Sequence, residues 1–174
     1  MNDQWNGRGA ALDELDIRIL RFLQSDARMT NRDLAAAVGV SPTTALDRTR
    51  SLRQRGVIVR ATLAVDLPSI GRPVQALIAV RIRPPSREVI EAFRDWVSGL
   101  DETVGLFVTA GNEDFIIHVA VRDNDDLYAF VIDGLTQRRE VADVRTSVVY
   151  QHLQEHVVLP LEAREGGGRR SGGR

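Results

Sequence analysis

Apolar residues recur every three or four positions through the first third of the chain, which is the spacing of amphipathic helices. The first such stretch predicts a helix over residues 12–24. A second helix is predicted from Thr30, a good N-cap residue, to Gly39, a typical helix stop. Ser41 and Pro42 then supply a new N-cap and first helical position almost at once. Two short helices joined by so tight a turn predict a helix-turn-helix.

The helix that begins after Ser41 carries small polar side chains on the side away from its apolar stripe. On a helical wheel, the apolar side contains Pro42, Ala45, Leu46, Thr49 and Leu52. The polar side suits a DNA major groove, because small side chains admit close approach and the arginines beside them reach phosphates or guanine edges. The predicted DNA-binding set is Ser41, Thr43, Thr44, Asp47, Arg48, Arg50, Ser51, Gln54 and Arg55. The alternative is the solvated face of an ordinary amphipathic helix.

The rest of the chain alternates between strand and helix patterns. Residues 57–66 alternate as a strand would and are predicted to be a wing or connector, and the prolines and glycine that follow are typical of a linker. The order after the linker is strand, helix, strand, strand, helix, strand, over residues 74–82, 84–100, 103–110, 114–121, 123–137 and 141–154. This β-α-β-β-α-β order predicts a ferredoxin-like αβ-sandwich, and the fold class is therefore α+β.

The predicted sheet is apolar on both faces, although its two helices can cover only one. The face away from the helices is predicted to carry Leu77, Ala79, Ile116, Ala120 and Val149. An apolar face needs a cover, and the sheet of a second copy would supply it. The pattern therefore predicts a homodimer, with a partly apolar face in contact with water as the alternative.

Composition narrows the classes of function. The chain has no cysteine, which excludes disulfides and thiolate metal sites and fits a reducing cytoplasm. It has no apolar run of about 18 residues, so we expect no membrane span. The net charge of −1 does not by itself indicate a nucleic-acid partner. No phosphate loop, dinucleotide motif or catalytic Ser-His-Asp set is present, so we expect a cytoplasmic protein that is not an enzyme and needs no cofactor.

Both halves carry motifs of one known family. The stretch LDELDIRILRFLQSDARMTNRDLAAAVGVSPTTALDRTRSLRQRGVI and the hairpin VTAGNEDFIIHVAVRD resemble the leucine-responsive regulatory protein/AsnC family, over roughly residues 12–160. The resemblance implies a winged helix-turn-helix joined to an αβ-sandwich that senses small molecules, usually amino acids. It also implies dimers formed through the sandwich, which often assemble further into octamers. One departure is Thr49, where the family usually has an aliphatic residue, so looser packing is expected there.

The same resemblance implies where an effector binds. The family's Gly-x-x-Asp hairpin turn, part of a ligand pocket between subunits, falls here on Gly111 and Asp114. The implied effector-binding set is Gly111, Asn112, Asp114, Thr146 and Ser147. An exposed glycine backbone and a carboxylate suit an α-amino group. The alternative is a plain β-turn with a capping acid.

One motif points to a different chemistry. Residues 152–156, HLQEH, match a zinc-peptidase pattern that needs both histidines on one helical face. The motif follows a predicted strand, on which His152 and His156 would lie about 13 Å apart, too far for one zinc ion. We therefore expect no metal site and no catalytic residue.

We predict a sequence-specific DNA-binding transcriptional regulator whose DNA binding or oligomeric state responds to a small molecule, with an amino acid as the expected effector. The alternative is a ferredoxin-like metabolic enzyme or metal-dependent hydrolase that uses His152 and His156. The expected partners are double-stranded DNA, the effector and other copies of the chain, as a homodimer or homo-octamer, with no membrane. The expected segments are a flexible N-terminus (1–11), a winged helix-turn-helix domain (12–60), a linker strand (61–73), an αβ-sandwich for effector binding and oligomerisation (74–160) and a disordered tail (161–174).

Overall fold

The computed structural model describes residues 12–154 and 157–161. The chain divides into two compact units. One contains the described residues up to Leu63 together with those from Gln154 onward, and the other is Ala64–Leu153. The predicted flexible N-terminus, and all of the predicted tail except Leu161, lie outside the described residues.

The first unit is built from three helices. They are α1 (Glu14–Ser25), α2 (Asn31–Val38) and α3 (Pro42–Gln54), as the apolar spacing predicts. Each begins after an N-cap residue whose side chain accepts a backbone hydrogen bond from three residues on, which satisfies one of the N–H groups that a helix start leaves free. The buried core of this unit consists of Ile19, Leu34, Ala35, Val38, Ala45 and Leu52.

The turn between α2 and α3 depends on Gly39. Its φ of 70° lies in the left-handed region, where a side chain would be strained. The backbone N–H of Val40 donates to the carbonyl of Ala35 at 3.0 Å, which closes the end of α2. Only Gly39 and Val40 therefore separate the end of α2 from Ser41, the N-cap of α3.

The second unit is a four-stranded antiparallel sheet with helices. The elements are β1 (Val74–Ile82), α4 (Arg87–Ser98), β2 (Thr103–Val108), β3 (Phe115–Val121), α5 (Asn124–Ala129) and β4 (Val141–Val148). The strands lie in the order β2-β3-β1-β4, which confirms the predicted ferredoxin-like topology.

The two faces of the sheet differ as the alternation of side chains requires. The core on the helix side contains Ala76, Ile78, Val80 and Ile82 of β1, packed with Phe93, Val97 and Leu127 of the helices. Leu77 and Ala79 lie on the other face, which we call the open face, together with Ile116 and Ala120. On this face Phe107 is 61% exposed and Leu77 is 40% exposed, whereas Ala120 is buried.

The linker differs from its prediction. Residues 61–73 contain no strand, and their only regular element is one 3₁₀ turn, Pro68–Ile70. An alternating segment becomes a strand only when a neighbour supplies its backbone hydrogen bonds, and no described strand lies alongside this one. Val59 and Leu63 accordingly remain 84% and 82% exposed.

Two predicted elements end more than two residues before their predicted last residue. The helix predicted over 123–137 is α-helical only as far as Ala129. It continues as a wider π-helical turn, in which the N–H of Thr136 donates to the carbonyl of Val131 at 2.9 Å. The last strand ends at Val148, not at residue 154.

None of the helices in the described residues is both apolar enough and long enough for a membrane span.

Candidate DNA-binding helix and ligand-binding turn

The start of α3 presents hydroxyl groups that are already arranged by its cap. The Oγ of Ser41 accepts a hydrogen bond from the backbone N–H of Thr44 at 3.1 Å, and lies 2.8 Å from the Thr44 hydroxyl. Thr43, between them, is exposed. The N-terminal end of a helix attracts anions, so this end of α3 is suited to a DNA phosphate.

The polar side of α3 divides into exposed and packed positions. Asp47, Arg50 and Gln54 are exposed, and Ser51 is half-buried. On the other side, Thr49 is only 4% exposed and its hydroxyl donates to the carbonyl of Ala45 at 2.8 Å. The threonine is therefore packed with its hydroxyl satisfied, and the structure does not bear out the looser packing expected there.

Two predicted DNA contacts are turned toward α1. The Nη1 of Arg48 lies 2.6 Å from Asp13 Oδ2 and 3.3 Å from Asp16 Oδ1. The Nη1 of Arg55 lies 3.0 Å from Asp16 Oδ2. A backbone hydrogen bond from Asp16, together with the Arg48 guanidinium, outweighs burial and lowers the pKa of Asp13 below its usual value.

The predicted ligand turn connects β2 to β3. Gly111 has a φ of 145° and open space where a side chain would stand, so its backbone is accessible. Asn112 is exposed. Asp114 is tied to the end of β1, because its Oδ2 accepts from the backbone N–H of Ile82 at 2.7 Å and lies 3.8 Å from Arg83 Nη1.

The structure brings only part of the predicted effector set together. Ser147 is opposite Leu77 and shares the open face, whereas Thr146 is opposite Ile78 and points to the helix side. Arg145, which is outside the predicted set, is on the open face and forms an ion pair with Glu113 of the turn. Arg145 is two positions before Ser147 on the same strand, so the two side chains share a face. This period of two was the sequence signal that could have added Arg145 to the set.

The histidine motif has a different setting from the one expected. His152 follows the end of β4, and its ring packs edge-on against that of His118 with centroids 5.5 Å apart. His118 Nε2 lies 3.0 Å from Gln75 Oε1. His156 lies outside the described residues, so its distance from His152 stays a prediction. Over residues 12–154 and 157–161, no three His, Asp or Glu side chains are grouped as metal ligands.

A cleft of about 720 Å³ lies at the other end of β3 from the turn. None of the predicted effector residues lines it. Its walls come from the linker, α4, the end of β3, and α5 with the π turn, and include Ile70, Arg72, Trp96, Ala120, Arg122 and Phe130.

Comparison with known proteins assigns both units. Residues 12–59 match a winged helix-turn-helix DNA-binding model, and residues 75–159 match the Lrp/AsnC ligand-binding domain. The HTH-type transcriptional regulator AldR of Mycobacterium tuberculosis is 40% identical over 147 residues, which cover 84% of this chain and 82% of that protein. The chain belongs to the Lrp/AsnC family. Its fold is the winged helix-turn-helix plus ferredoxin-like αβ-sandwich of that family, and it is a DNA-binding transcriptional regulator with a ligand-binding domain.

Other Lrp/AsnC proteins agree with this assignment. The transcriptional regulator AzlB of Bacillus subtilis is 32% identical, over 88% of this chain and 98% of that protein. A transcriptional regulator of Neisseria meningitidis, solved as a complex with L-Met, has a TM-score of 0.79 at 30% identity and covers 87% of this chain and 97% of that one. The relatives are regulators, and the enzyme alternative finds no support among them.

Proposed function

We propose that this Lrp/AsnC regulator is a cytoplasmic homodimer, not an enzyme, that reads double-stranded DNA with α3 and responds to an amino acid bound near residues 111–114. The observation that carries the proposal is the pairing, in one chain, of a capped helix with an exposed polar side and a separate ligand-binding domain. Each part of the proposal rests on particular contacts.

The DNA-reading side of α3 is inferred from exposure. Thr43, Asp47 and Gln54 present short polar groups to solvent along one side of the helix, and Arg50 adds a cation. Such groups can approach base edges in a major groove while the arginine reaches a phosphate. The same side also includes Ser41 and Thr44 at the start of the helix and Ser51 at its edge. Arg48 and Arg55 lie beside it.

Dimerisation through the open face is inferred from its apolar surface. Leu77, Phe107 and Ile116 lie together there, and no helix of the same unit covers them. Removing apolar surface from water contributes about 25 cal/mol per Å² before the entropic cost of association, and this contribution favours a second copy as the cover of the open face. Association of such dimers into an octamer is a further step of the same proposal.

An amino-acid effector is inferred from the chemistry of the turn. The Neisseria relative was solved with L-Met. In the present chain, Gly111 leaves backbone groups accessible, Asp114 offers a carboxylate and Arg145 offers a guanidinium beside Glu113. A zwitterion carries the two charges that complement these groups. Its binding would change how two copies pack, and so the spacing of their α3 helices or the oligomer equilibrium.

In vitro selection tests the DNA-binding part of this proposal. The full chain is incubated with a random-sequence duplex pool, and bound duplexes are recovered and sequenced. Two α3 helices related by a two-fold axis should select an imperfect palindrome with half-sites about one helical turn apart. Recovery of no common sequence would contradict sequence-specific binding by α3.

A further inference from the structure

Asp16 is a charged residue in the interior of the first unit. It is 1% exposed, and Asp16 and Thr49 are the buried polar residues among those described. A buried carboxylate is costly unless charged donors surround it, and removing one partner leaves an uncompensated charge. Separating Asp16 from the charged donors that contact it is therefore costly in free energy.

Each carboxylate oxygen of Asp16 contacts one arginine, Arg48 within α3 or Arg55 at its C-cap. Oδ1 takes Arg48 Nη1 at 3.3 Å and Oδ2 takes Arg55 Nη1 at 3.0 Å. Because Arg48 and Arg55 are seven positions apart, they stand on the same side of α3, two turns from each other. The same Arg48 nitrogen also lies 2.6 Å from Asp13, the N-cap of α1. We call Asp13, Asp16, Arg48 and Arg55 the aspartate clamp.

We propose that the aspartate clamp sets the rotation of α3 about its axis, so that Arg48 and Arg55 are positioning residues and not DNA contacts. The proposal rests on α3 being the DNA-reading helix. Two attachments two turns apart on one side oppose a roll of the helix, in addition to the packing of Ala45 and Leu52 in the core. A roll of one residue is about 100°, so even a fraction of it would take Thr43 and Asp47 away from the base edges they face.

The clamp also separates the arginines of α3 by role. For Arg48 to turn to a phosphate, it would have to leave a carboxylate that has almost no access to water. The side chain of Arg50, in contrast, is exposed and has no hydrogen bond or ion pair with any described residue. It can bind a phosphate without breaking a contact. Arg50 therefore supplies a matched control on the same helix.

The experiment uses a duplex selected by the wild-type chain and a scrambled duplex of the same composition. Affinity for both is measured over a range of salt concentrations with wild type, Arg48→Gln, Asp16→Asn, the Asp16→Asn/Arg48→Gln double variant and Arg50→Gln. Loss of a phosphate contact reduces the slope of log K against log salt by about 0.9. Loss of the correct rotation of α3 should reduce the preference for the selected duplex and leave the salt slope unchanged. General unfolding would instead weaken binding to both duplexes.

We expect Arg48→Gln and Asp16→Asn each to lower the preference for the selected duplex about tenfold with an unchanged salt slope. The loss in the double variant should be smaller than the sum of the two single losses, because both single variants lose the Asp16–Arg48 contact. Arg50→Gln should lower the slope and bind both duplexes more weakly. If Arg48→Gln lowers the slope as Arg50→Gln does, Arg48 is a DNA contact and the clamp proposal fails.

Two further outcomes are decisive. If Asp16→Asn does not fold, the salt slope and the duplex preference of Arg48→Gln still test the proposal. Arg48→Gln should fold, because the Arg48 side chain is 41% exposed. If the wild-type chain shows no preference for any selected duplex, the proposed DNA-reading function of α3 is overturned, and the clamp with it. If the wild-type chain prefers the selected duplex but Arg48→Gln lowers the salt slope, only the clamp proposal is overturned.

Discussion

The carboxylate of Asp114 accepts a hydrogen bond from the backbone N–H of Ile82 at 2.7 Å. The contact joins the β2–β3 turn to the end of the neighbouring strand β1. The backbone of Asp114 strengthens it, since its N–H donates to the carbonyl of Val80 at 3.0 Å. One residue of the proposed effector turn therefore also fixes the position of the turn.

Asp114→Ala should both destabilise the second unit and abolish the response to effector. Removing the acceptor leaves the N–H of Ile82, a fully buried residue, without its partner, at a cost of about 1–3 kcal/mol. Asp114→Asn keeps an acceptor and should retain most of the stability while losing the charge. Urea unfolding, and thermal shift with amino acids, measure the two effects. Asp133→Ala, an exposed acid on the π turn, is the control. Wild-type stability and response in Asp114→Ala would contradict both roles.

Ser147 and Thr146 should behave differently although they are adjacent. Ser147 shares the open face with Arg145 and Leu77, whereas Thr146 points to the helix side. If the effector binds between copies at the open face, Ser147→Ala should weaken the response and Thr146→Val should not. Thermal shift against single amino acids distinguishes them. A response lost only in Thr146→Val would put the effector on the helix side.

Phe107→Asp should dissociate the proposed dimer. A carboxylate within an apolar interface would be buried without a partner, so the copies should separate. Sedimentation velocity gives the oligomeric state. Tyr128→Asp on α5 is the matched control, because Tyr128 is a similarly exposed aromatic residue, 65% against 61%, on a helix outside the open face. Equal sedimentation of Phe107→Asp and wild type would argue against this interface.

Acid should destabilise the second unit through His118. Burial lowers the pKa of His118 below its usual value of 6.5, and nearby His152 lowers it further. The unfolded chain therefore binds a proton more readily than the folded one, so this stability is present above about pH 6.5 and is lost as the pH falls through that value toward the folded pKa. His118→Gln should remove this pH dependence in urea unfolding, and His152→Gln should reduce it. An unchanged pH profile in His118→Gln would contradict the assignment.

Local signals made much of the fold predictable from the sequence. The junction of Gly39 with Ser41 and Pro42 is determined within a few residues, because a left-handed cap, an N-cap and a first-turn proline each act on their own neighbours. The four strands and their order follow from apolar alternation and from the β-α-β-β-α-β sequence of elements. The open face was predictable for the same reason.

Contacts between distant residues were not predictable. Asp16 and Arg48 are 32 positions apart, so their pairing depends on how α1 crosses α3 and not on any local pattern. A helical wheel placed Arg48 beside the polar face but gave no sign that α1 presents a buried carboxylate to it. The ion pair of Arg145 with Glu113 similarly needs the assembled sheet. The alternation of residues 57–66 predicts a strand, which requires a neighbouring strand that the described residues do not supply.

In the proposed function, one chain couples amino-acid binding to DNA binding. The most direct test is fluorescence anisotropy of a selected duplex titrated with the full chain, alone and with each of the standard amino acids. We predict that at least one amino acid changes the affinity or the stoichiometry of the complex about fivefold or more, the usual scale of allosteric coupling. Tight and selective DNA binding that no amino acid alters would contradict the claim.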